Sequence, residues 1–264
     1  MEARDWEKFF IPYEQAVEEL VIKFEALRKQ FNTMGEYSPI ELVLGRVKKL
    51  SSILEKSKKY NISLHLIEKK IEDIAGIRII CQFVDDIDKV VQLIRKRDGK
   101  DLKIICEKDY IRNKKESGYR SYHIIIKYPV QNILGTKEIL AEIQIRTMAM
   151  NFWATIEHSL NYKYKENIPQ KIRKRLINAA EAAFLLDQEM SEIREEITDA
   201  QKTFSIRSNA IVQILHYIQL LYQEERLELA EKYQKIFSDL WEKGDLQMLM
   251  SLEVELKKLI KDEG

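Results

Sequence analysis

The sequence has little glycine, proline or cysteine. Its 264 residues include 8 glycines, 4 prolines and 2 cysteines, whereas average usage would give roughly 18 glycines and 13 prolines. This scarcity excludes collagen-like, loop-dominated and Gly/Pro-rich disordered proteins. Cys81 and Cys106 have no CxxC spacing and lie in apolar segments. We therefore expect two reduced, buried thiols rather than a disulfide or a zinc site.

The sequence also lacks long apolar runs. No segment approaches the roughly 18 apolar residues of a membrane span, and the acidic first residues lack the basic and apolar regions of a signal peptide. Hydrophobic residues make up 45% of the chain, which is enough for a sizeable core. These features predict a cytoplasmic globular protein that does not enter a membrane.

An excess of charge of one sign is missing as well. The 44 basic and 43 acidic residues give a net charge of +1, which argues against a uniformly basic nucleic-acid coat. The charges are nevertheless segregated. Residues 45–59 carry six basic residues and one acidic residue, and residues 95–120 carry ten and five. The two basic segments indicate a local anion site, although a solvated surface would also explain them.

Hydrophobic spacing predicts an α+β protein with a small mixed β-sheet flanked by helices. Apolar residues recur every three or four positions from Phe9, and Ser38-Pro39 is typical of a helix start. The predicted helices of this part are the segment that begins near Phe9 and residues 39–59, 64–70 and 85–97. The predicted strands, in which the period shifts toward two, are residues 77–83, 102–106, 122–128 and 139–146.

The rest of the chain is predicted to be helical, at residues 148–160, 169–202 and 205–264, with a split at Gly244 and Asp245. We expect a domain at 1–204 and a helical C-terminal extension at 205–264. An apolar stripe in this extension has to be buried, either within its own chain or between subunits.

The fourth predicted strand has one polar face. Alternation places Glu142, Gln144 and Arg146 on one side and two isoleucines on the other. Asp73 and Arg78, at the first predicted strand, add another carboxylate and another arginine. Carboxylates on neighbouring strands could share Mg²⁺, and arginines suit phosphate oxygens. A solvent-exposed strand face is the alternative for this pattern.

A cationic helix face supports the phosphate interpretation. Lys48, Ser52 and Lys56 are spaced at i, i+4 and i+8, and Arg46 lies near the predicted helix start. Such a stripe can hold a triphosphate chain, but an ordinary surface stripe would have the same spacing.

A glycine-containing turn leads into the third predicted strand. Tyr119 follows Gly118, and an aromatic side chain at such a turn can stack on a nucleobase. His123 lies four positions further on, where it could donate to a phosphate. A loop tyrosine and a core histidine would give the same residues without any function.

Five motifs occur in order along the chain. They are Gly45-Arg46-Val47-Lys48, Asp73-Ile-Ala-Gly-Ile-Arg78, Gly118-Tyr119-Arg120-Ser121-Tyr122-His123, Glu142-Ile-Gln-Ile-Arg-Thr147 and His158-Ser-Leu-Asn-Tyr-Lys163. Together they resemble the RelA/SpoT synthetase domain, in particular the small alarmone synthetases of the RelQ type. The resemblance covers roughly residues 1–200.

The resemblance implies a nucleotidyltransferase-like sheet and transfer of the β,γ-pyrophosphate of ATP to the ribose 3′-hydroxyl of GDP or GTP, with release of AMP. It implies that Asp73 and Glu142 hold Mg²⁺ and that Glu142 also activates the hydroxyl. The implied ATP-binding residues are Arg46, Lys48, Ser52, Lys56 and Arg78. The implied GDP- or GTP-binding residues are Lys115, Tyr119, His123, Gln144 and Asn151.

The resemblance also implies a homo-oligomer, with a tetramer favoured. Relatives activated by their guanosine pentaphosphate product carry lysines on the first helix, where this chain has Val21 and Glu25, so we do not expect that activation. Position 108 is a lysine in place of the family's arginine. Two alternatives stay open: a pyrophosphotransferase with an adenosine nucleotide or tRNA acceptor, and an inactive relative that binds single-stranded RNA.

Overall fold

A computed structural model describes residues 6–133, 135–164, 168–243 and 245–261, without the side chains of residues 162, 163 and 243. The strands are β1 (Leu42–Val47), β2 (Ala75–Cys81), β3 (Lys103–Asp109), β4 (Tyr122–Asn132) and β5 (Gly135–Thr147). The helices are α1 (Trp6–Thr33), α2 (Leu50–Lys59), α3 (Ile67–Lys70), α4 (Val84–Arg95), α5 (Met148–Lys163), α6 (Gln170–Gln223), α7 (Leu227–Lys243) and α8 (Leu246–Lys261). A 3₁₀ turn, Leu64–Leu66, precedes α3.

The five strands form one mixed sheet in the order β1-β2-β5-β4-β3. β2 and β5 are parallel, and the other neighbouring pairs are antiparallel. β4 and β5 form a hairpin in which Asn132 lies opposite Gly135. The predicted α+β class with a small mixed sheet is confirmed.

The predicted helix at 39–59 is wrong in its first half, because residues of this segment form the edge strand β1. On β1, Val43 is buried, and Leu42 and Leu44 on either side of it are exposed. At Gly45 a Cβ would lie 2.5 Å from Val17 Cγ1 and 2.7 Å from Val21 Cγ2. The missing side chain therefore lets β1 approach α1 closely and pair with β2. That pairing outweighs the helix-start pattern, and α2 begins only at Leu50.

One face of the sheet carries the main hydrophobic core. α1 contacts β1, β2 and β4, and α4 contacts β2 and β5. The fully buried sheet residues of this core include Ile79, Ile124, Ile143 and Ile145. Each such side chain contributes about 1.5–3 kcal/mol through burial. This face supplies the stability that supports charged residues on the other face.

The C-terminal part is entirely helical. α6 runs unbroken to Gln223, so the prediction of a helix ending near residue 202 is wrong. Residues 170–223 contain no glycine or proline, the residues that most readily end a helix. The chain divides into two compact units, Met1–Ser191 and Glu192–Gly264. None of the helices in the described ranges is long and apolar enough to cross a membrane.

The second unit has its own core. The apolar stripe of α6, represented by Ile214, Ile218 and Leu221, packs with buried residues of α7 and α8 such as Leu252. The stripe is therefore buried within its own chain. α7 and α8 are separate helices, as predicted, and the Asp245 carboxylate caps α8 by accepting from the Met248 backbone N–H at 3.1 Å. Gly244 lies outside the described residues.

Candidate active site

Strand register brings the polar residues of four strands into adjacent rows on the face opposite the core. Arg78 of β2 lies opposite Gln144 of β5, which in turn lies opposite His123 of β4. In the next row, Gly76 separates Arg46 of β1 from Glu142 of β5. Because Gly76 has no side chain, space remains between the arginine and the carboxylate.

Two cavities share a wall at this face. The smaller has a volume of about 290 Å³ and the larger about 700 Å³. Both are lined by the same five residues: Arg46, Asp73, Arg78, Glu142 and Gln144. The two predicted carboxylates therefore lie where two compartments meet, an arrangement suited to a reaction between two bound molecules.

Glu142 is held by two neighbours on the sheet. Its Oε1 lies 2.8 Å from His123 Nδ1, and its Oε2 accepts from Gln144 Nε2 at 2.8 Å. Burial raises the pKa of Glu142, but the hydrogen bonds from His123 and Gln144 more than offset this, so the pKa lies below its ordinary value. The carboxylate is thus ionised at neutral pH.

Asp73 precedes β2 and binds two lysines. Lys48 Nζ donates to its Oδ2 at 2.7 Å, and Lys56 Nζ donates to its Oδ1 at 2.9 Å. Burial raises the pKa of Asp73, but the two ammonium groups outweigh that effect and lower the pKa overall. Lys56 also lines the larger cavity, whereas Ser52, half-buried on the same helix, is not among the residues lining either cavity.

Arg78 lies between the two predicted substrate sides. Its Nη1 donates to Asn151 Oδ1 of α5 at 3.2 Å, while its buried Nε has no hydrogen-bond partner. Burial lowers the pKa of Arg78 to about 10, with help from the positive charges of Arg146 and Arg46. Three guanidinium groups clustered in this way favour an anionic ligand.

Three residues predicted to bind GDP or GTP lie together in the larger cavity: Lys115, Tyr119 and His123. Tyr119 Oη is 2.8 Å from His123 Nε2, and Lys115 Nζ lies 4.8 Å from the Tyr119 ring centroid. Burial lowers the pKa of Lys115. Burial also raises the pKa of Tyr119, although the charge of Arg146 opposes that effect. Tyrosine, histidine and lysine thus form one polar aromatic wall.

Sequence reasoning placed Arg146 on the polar face but gave it no role. Its Nη2 donates to Tyr119 Oη at 2.5 Å and to Gln144 Oε1 at 2.6 Å, so it joins β5 to the aromatic wall. Tyr110 was missed, and its ring packs 5.1 Å from that of His123. The alternation along β5 that identified Glu142 and Gln144 also placed Arg146 beside them, whereas no local pattern points to Tyr110.

The departure at position 108 also lies in the larger cavity. Lys108 Nζ donates to Glu72 Oε2 at 2.8 Å, and both residues line the cavity wall. A lysine makes this contact with a single ammonium group, so the second parallel bond of an arginine fork is absent.

The carboxylate pair fits a magnesium ion. Asp73 and Glu142 line the same two cavities, so a cation held by both would reduce the repulsion between two like charges. Mg²⁺ takes oxygen ligands from one or two carboxylates and completes its shell with substrate phosphates and water. The described residues contain no cluster of three or more His, Cys, Asp or Glu side chains able to hold a metal, so such an ion would need a nucleotide.

Comparison with known proteins agrees with this geometry. Residues 45–167 match the family model described as the region found in RelA/SpoT proteins. The chain is 55% identical over 205 residues to the GTP pyrophosphokinase YjbM of Bacillus subtilis, covering 78% of this chain and 96% of that protein.

Two solved structures are similar as well. The crystal structure of small alarmone synthetase 1 from B. subtilis bound to its product pppGpp matches with a TM-score of 0.70 at 55% identity, covering 74% of this chain and 99% of that chain. The same enzyme bound to AMPCPP matches with a TM-score of 0.65 at 50% identity, covering 75% and 100%. The resemblance predicted from the five motifs is confirmed: the chain belongs to the RelA/SpoT family.

Proposed function

We propose that this protein is a GTP diphosphokinase that transfers the β,γ-pyrophosphate of ATP to the 3′-hydroxyl of GDP or GTP, forming (p)ppGpp and AMP in the stringent response. The observation that carries the proposal is the position of Asp73 and Glu142 in the wall shared by two cavities. The names of the relatives support the same activity.

The donor would occupy the side of β1, β2 and α2. Arg46 and Arg78 would flank the adenine, while Lys48, Ser52 and Lys56 would hold the phosphates. Lys48 and Lys56 already bind a carboxylate at 2.7 and 2.9 Å, so phosphate oxygens can take over contacts of the same kind. The relative bound to AMPCPP supports an ATP-like donor.

The acceptor would occupy the larger cavity. Tyr119 would stack on guanine, and Lys115, His123, Gln144 and Asn151 would surround the rest of the nucleotide. The positive charge near Tyr119 supports a negatively charged acceptor, since Lys115 and Arg146 lie 4.8 and 5.0 Å from its ring. The relative bound to pppGpp supports a guanosine nucleotide.

The chemistry requires an activated hydroxyl and a stabilised transition state. The 3′-oxygen attacks the β-phosphorus, the bond between that phosphorus and the α,β-bridging oxygen breaks, and the proton passes to Glu142. Because the pKa of Glu142 is lowered, the carboxylate alone is a weak base for a ribose hydroxyl. Mg²⁺, which Asp73 and Glu142 would hold, would lower the pKa of the hydroxyl and neutralise phosphate charge.

An acceptor panel tests the proposal. ATP labelled at the γ-phosphate is incubated with Mg²⁺ and GDP, GTP, ADP or tRNA, and the products are separated by chromatography. Label moving to GDP or GTP with stoichiometric AMP is the expected result. Transfer to ADP or tRNA would replace the acceptor, and steeply salt-dependent binding of single-stranded RNA without any transfer would replace the enzyme.

We also propose a homo-oligomer, with a tetramer favoured. Exposed apolar residues on α6 support it: Met190, Ile193, Ile197 and Phe204 follow one another at intervals of three, four and seven, a coiled-coil spacing. Light scattering after gel filtration is expected to show a smaller species for Ile197→Glu. Ile206→Glu, an equally exposed position outside this stripe, is the matched control and is expected to keep the assembly.

We propose that residues 1–204 form the synthetase domain and residues 205–264 a helical extension that is not needed for turnover. The separate core around Leu252 supports this division. Leu252→Ala in the full chain is expected to destabilise the extension by about 3 kcal/mol and to leave turnover unchanged. Because the proposed substrates are nucleotides of the cytoplasm, we place the enzyme there.

A further inference from the structure

The turn that carries Tyr119 is fixed to α6 at a glycine. Gly118 has φ +86°, and a Cβ at this position would lie 2.7 Å from Ala180 Cβ. The turn therefore approaches the helix as closely as backbone permits. Gly118 N–H donates to the Lys115 carbonyl at 2.8 Å, which closes the turn beside the aromatic wall.

Arg120, the residue after Tyr119, makes the second attachment. Its side chain is only 6% exposed. Nη2 donates to Glu181 Oε2 at 3.0 Å, and the guanidinium carbon lies 4.1 Å from the centroid of the Phe184 ring. Nη1 lies 3.5 Å from the carbonyl oxygen of Gly118. Arg120 thus connects the turn to Glu181 and Phe184, which lie about one helical turn apart on the same face of α6.

Burial of the Arg120 guanidinium carries a cost in free energy. Removing a guanidinium from water costs several kcal/mol, and one ion pair with one contact to an aromatic ring recovers only part of that cost. Arg120 Nε is also buried without a hydrogen-bond partner. A hydrophobic residue at this position would hold the turn at lower cost. An arginine instead constrains direction, because its ion pair with Glu181 and its position over the Phe184 ring have to be satisfied together.

The residues flanking Arg120 point to what is being oriented. Tyr119 reaches His123 and Arg146 in the larger cavity. On the other side, Ser121 Oγ donates to the Ile145 carbonyl at 3.2 Å and accepts from Arg146 Nε at 3.2 Å. Arg120 therefore attaches the backbone between Tyr119 and Ser121 to α6, next to the close approach of Gly118 to Ala180.

We propose that Arg120 is a positioning residue for the acceptor nucleotide, and that it acts through Tyr119 by using Glu181 and Phe184 as its support. This inference rests on the proposed function, in which Tyr119 stacks on guanine. A displacement of the ring by about 1 Å can cost up to roughly 100-fold in a well-aligned site. ATP binding, on the opposite side of the shared wall, does not depend on the support.

The test is a comparison of kinetic constants in four variants of the full chain. Arg120→Lys, Glu181→Gln and Phe184→Leu are each expected to raise the KM for GDP or GTP about tenfold, with the KM for ATP changed less than twofold. Lys114→Gln is the matched control: Lys114 pairs with the same Glu181 but is half exposed, so no KM change is expected. Thermal unfolding of each variant is measured alongside.

Charge exchange separates positioning from plain stability. Arg120→Glu combined with Glu181→Arg restores the ion pair in the reverse direction but removes the stack on Phe184. The acceptor KM should therefore stay raised although the Tm returns toward that of the wild type. A wild-type acceptor KM in this double variant, or an equal rise of both KM values in Arg120→Lys, would overturn the inference.

Direct binding distinguishes this inference from the proposed function. Calorimetric titration of GDP and of GTP into the wild type and Tyr119→Ala is compared with the same titrations into Arg120→Lys. If the wild type binds neither nucleotide, the proposed function fails. If the wild type binds and Tyr119→Ala does not, while Arg120→Lys binds as tightly as the wild type, the proposed function stands and the role of Arg120 is refuted.

Discussion

The two faces of the sheet use the same backbone for opposite purposes. On β5, Glu142 and Gln144 face the cavities, whereas Ile143 and Ile145 are fully buried against the helices. Successive residues of one strand thus separate chemistry from stability. A substitution on the polar face of β5 should therefore change turnover, whereas a substitution at the next residue along the strand should change the free energy of unfolding.

The two carboxylates of the polar face each have two hydrogen-bonding partners. Glu142 binds His123 and Gln144, and Asp73 binds Lys48 and Lys56. Burying such groups without partners would cost several kcal/mol each. The apolar face offsets that cost through burial of aliphatic and aromatic side chains.

A large effect on the polar face is expected from Asp73→Asn. Turnover should fall about 100- to 1,000-fold, because a ligand for Mg²⁺ and the counter-charge of two lysines are lost. Initial rates of AMP release at saturating ATP and Mg²⁺ measure the change. Asp85→Asn is the matched control, since Asp85 also binds a lysine, at 3.0 Å, but is exposed on α4; it should keep full turnover. Equal turnover in Asp73→Asn and this control would refute the role of Asp73.

On the apolar face, Ile145→Ala should lower the free energy of unfolding by about 3 kcal/mol, because it leaves a cavity in the core. Urea unfolding followed by circular dichroism measures this. Turnover per folded molecule should stay at the wild-type level. Ile105→Ala on β3, where the side chain is 45% exposed, should have a much smaller effect. A loss of turnover in Ile145→Ala at full folding would mean that the two faces are not separable.

A third prediction concerns the buried carboxyl of Asp187, a residue of α6 that lies next to Thr147, the last residue of β5. Asp187 accepts from the Thr147 hydroxyl at 2.6 Å, and burial raises the pKa of Asp187 to about 6. Because the folded state binds the Asp187 proton more tightly than the unfolded state does, protonation of Asp187 stabilises the folded protein. This contribution to the free energy of unfolding is complete below about pH 4 and is lost as the pH rises through about 6.

Asp187→Asn keeps the hydrogen-bond acceptor and removes the charge. It should raise the free energy of unfolding at pH 8 by about 2 kcal/mol relative to the wild type, with no difference near pH 4. Unfolding curves at both pH values measure the effect. A gain at pH 4 that is as large as the gain at pH 8 would show that the charge of Asp187 is not responsible.

The smallest predicted effect is that of Ile143→Val. Loss of one buried methylene should reduce the free energy of unfolding by about 1 kcal/mol, although the residue is adjacent to Glu142. The KM values and turnover should be unchanged. Chemical unfolding and steady-state kinetics on one preparation check both expectations; a tenfold loss of turnover would break the separation of the faces.

Most of the polar face could be predicted from sequence because alternation along β5 and the ordered motifs are local patterns. β1 was missed because Gly45, which helps to make a strand of it, works through contact with Val17 and Val21 of α1. The end of α6 was missed because polar residues near 203 do not stop a helix that contains no glycine or proline.

The support of the acceptor side was hidden for a different reason. Arg120 meets Glu181 across 61 positions, and Thr147 meets Asp187 across 40. Neither pair has a spacing rule, since both contacts depend on where α6 packs in the tertiary structure. Only the folded chain reveals them.

The role of the Glu142 carboxylate in transfer is tested by Glu142→Gln. Transfer of labelled pyrophosphate from ATP to GDP or GTP and urea unfolding are both measured on the same samples. We predict a loss of transfer of about 1,000-fold, with a free energy of unfolding within about 1 kcal/mol of the wild type. Transfer at the wild-type rate in a fully folded Glu142→Gln protein would show that the carboxylate in the shared wall has no part in the reaction.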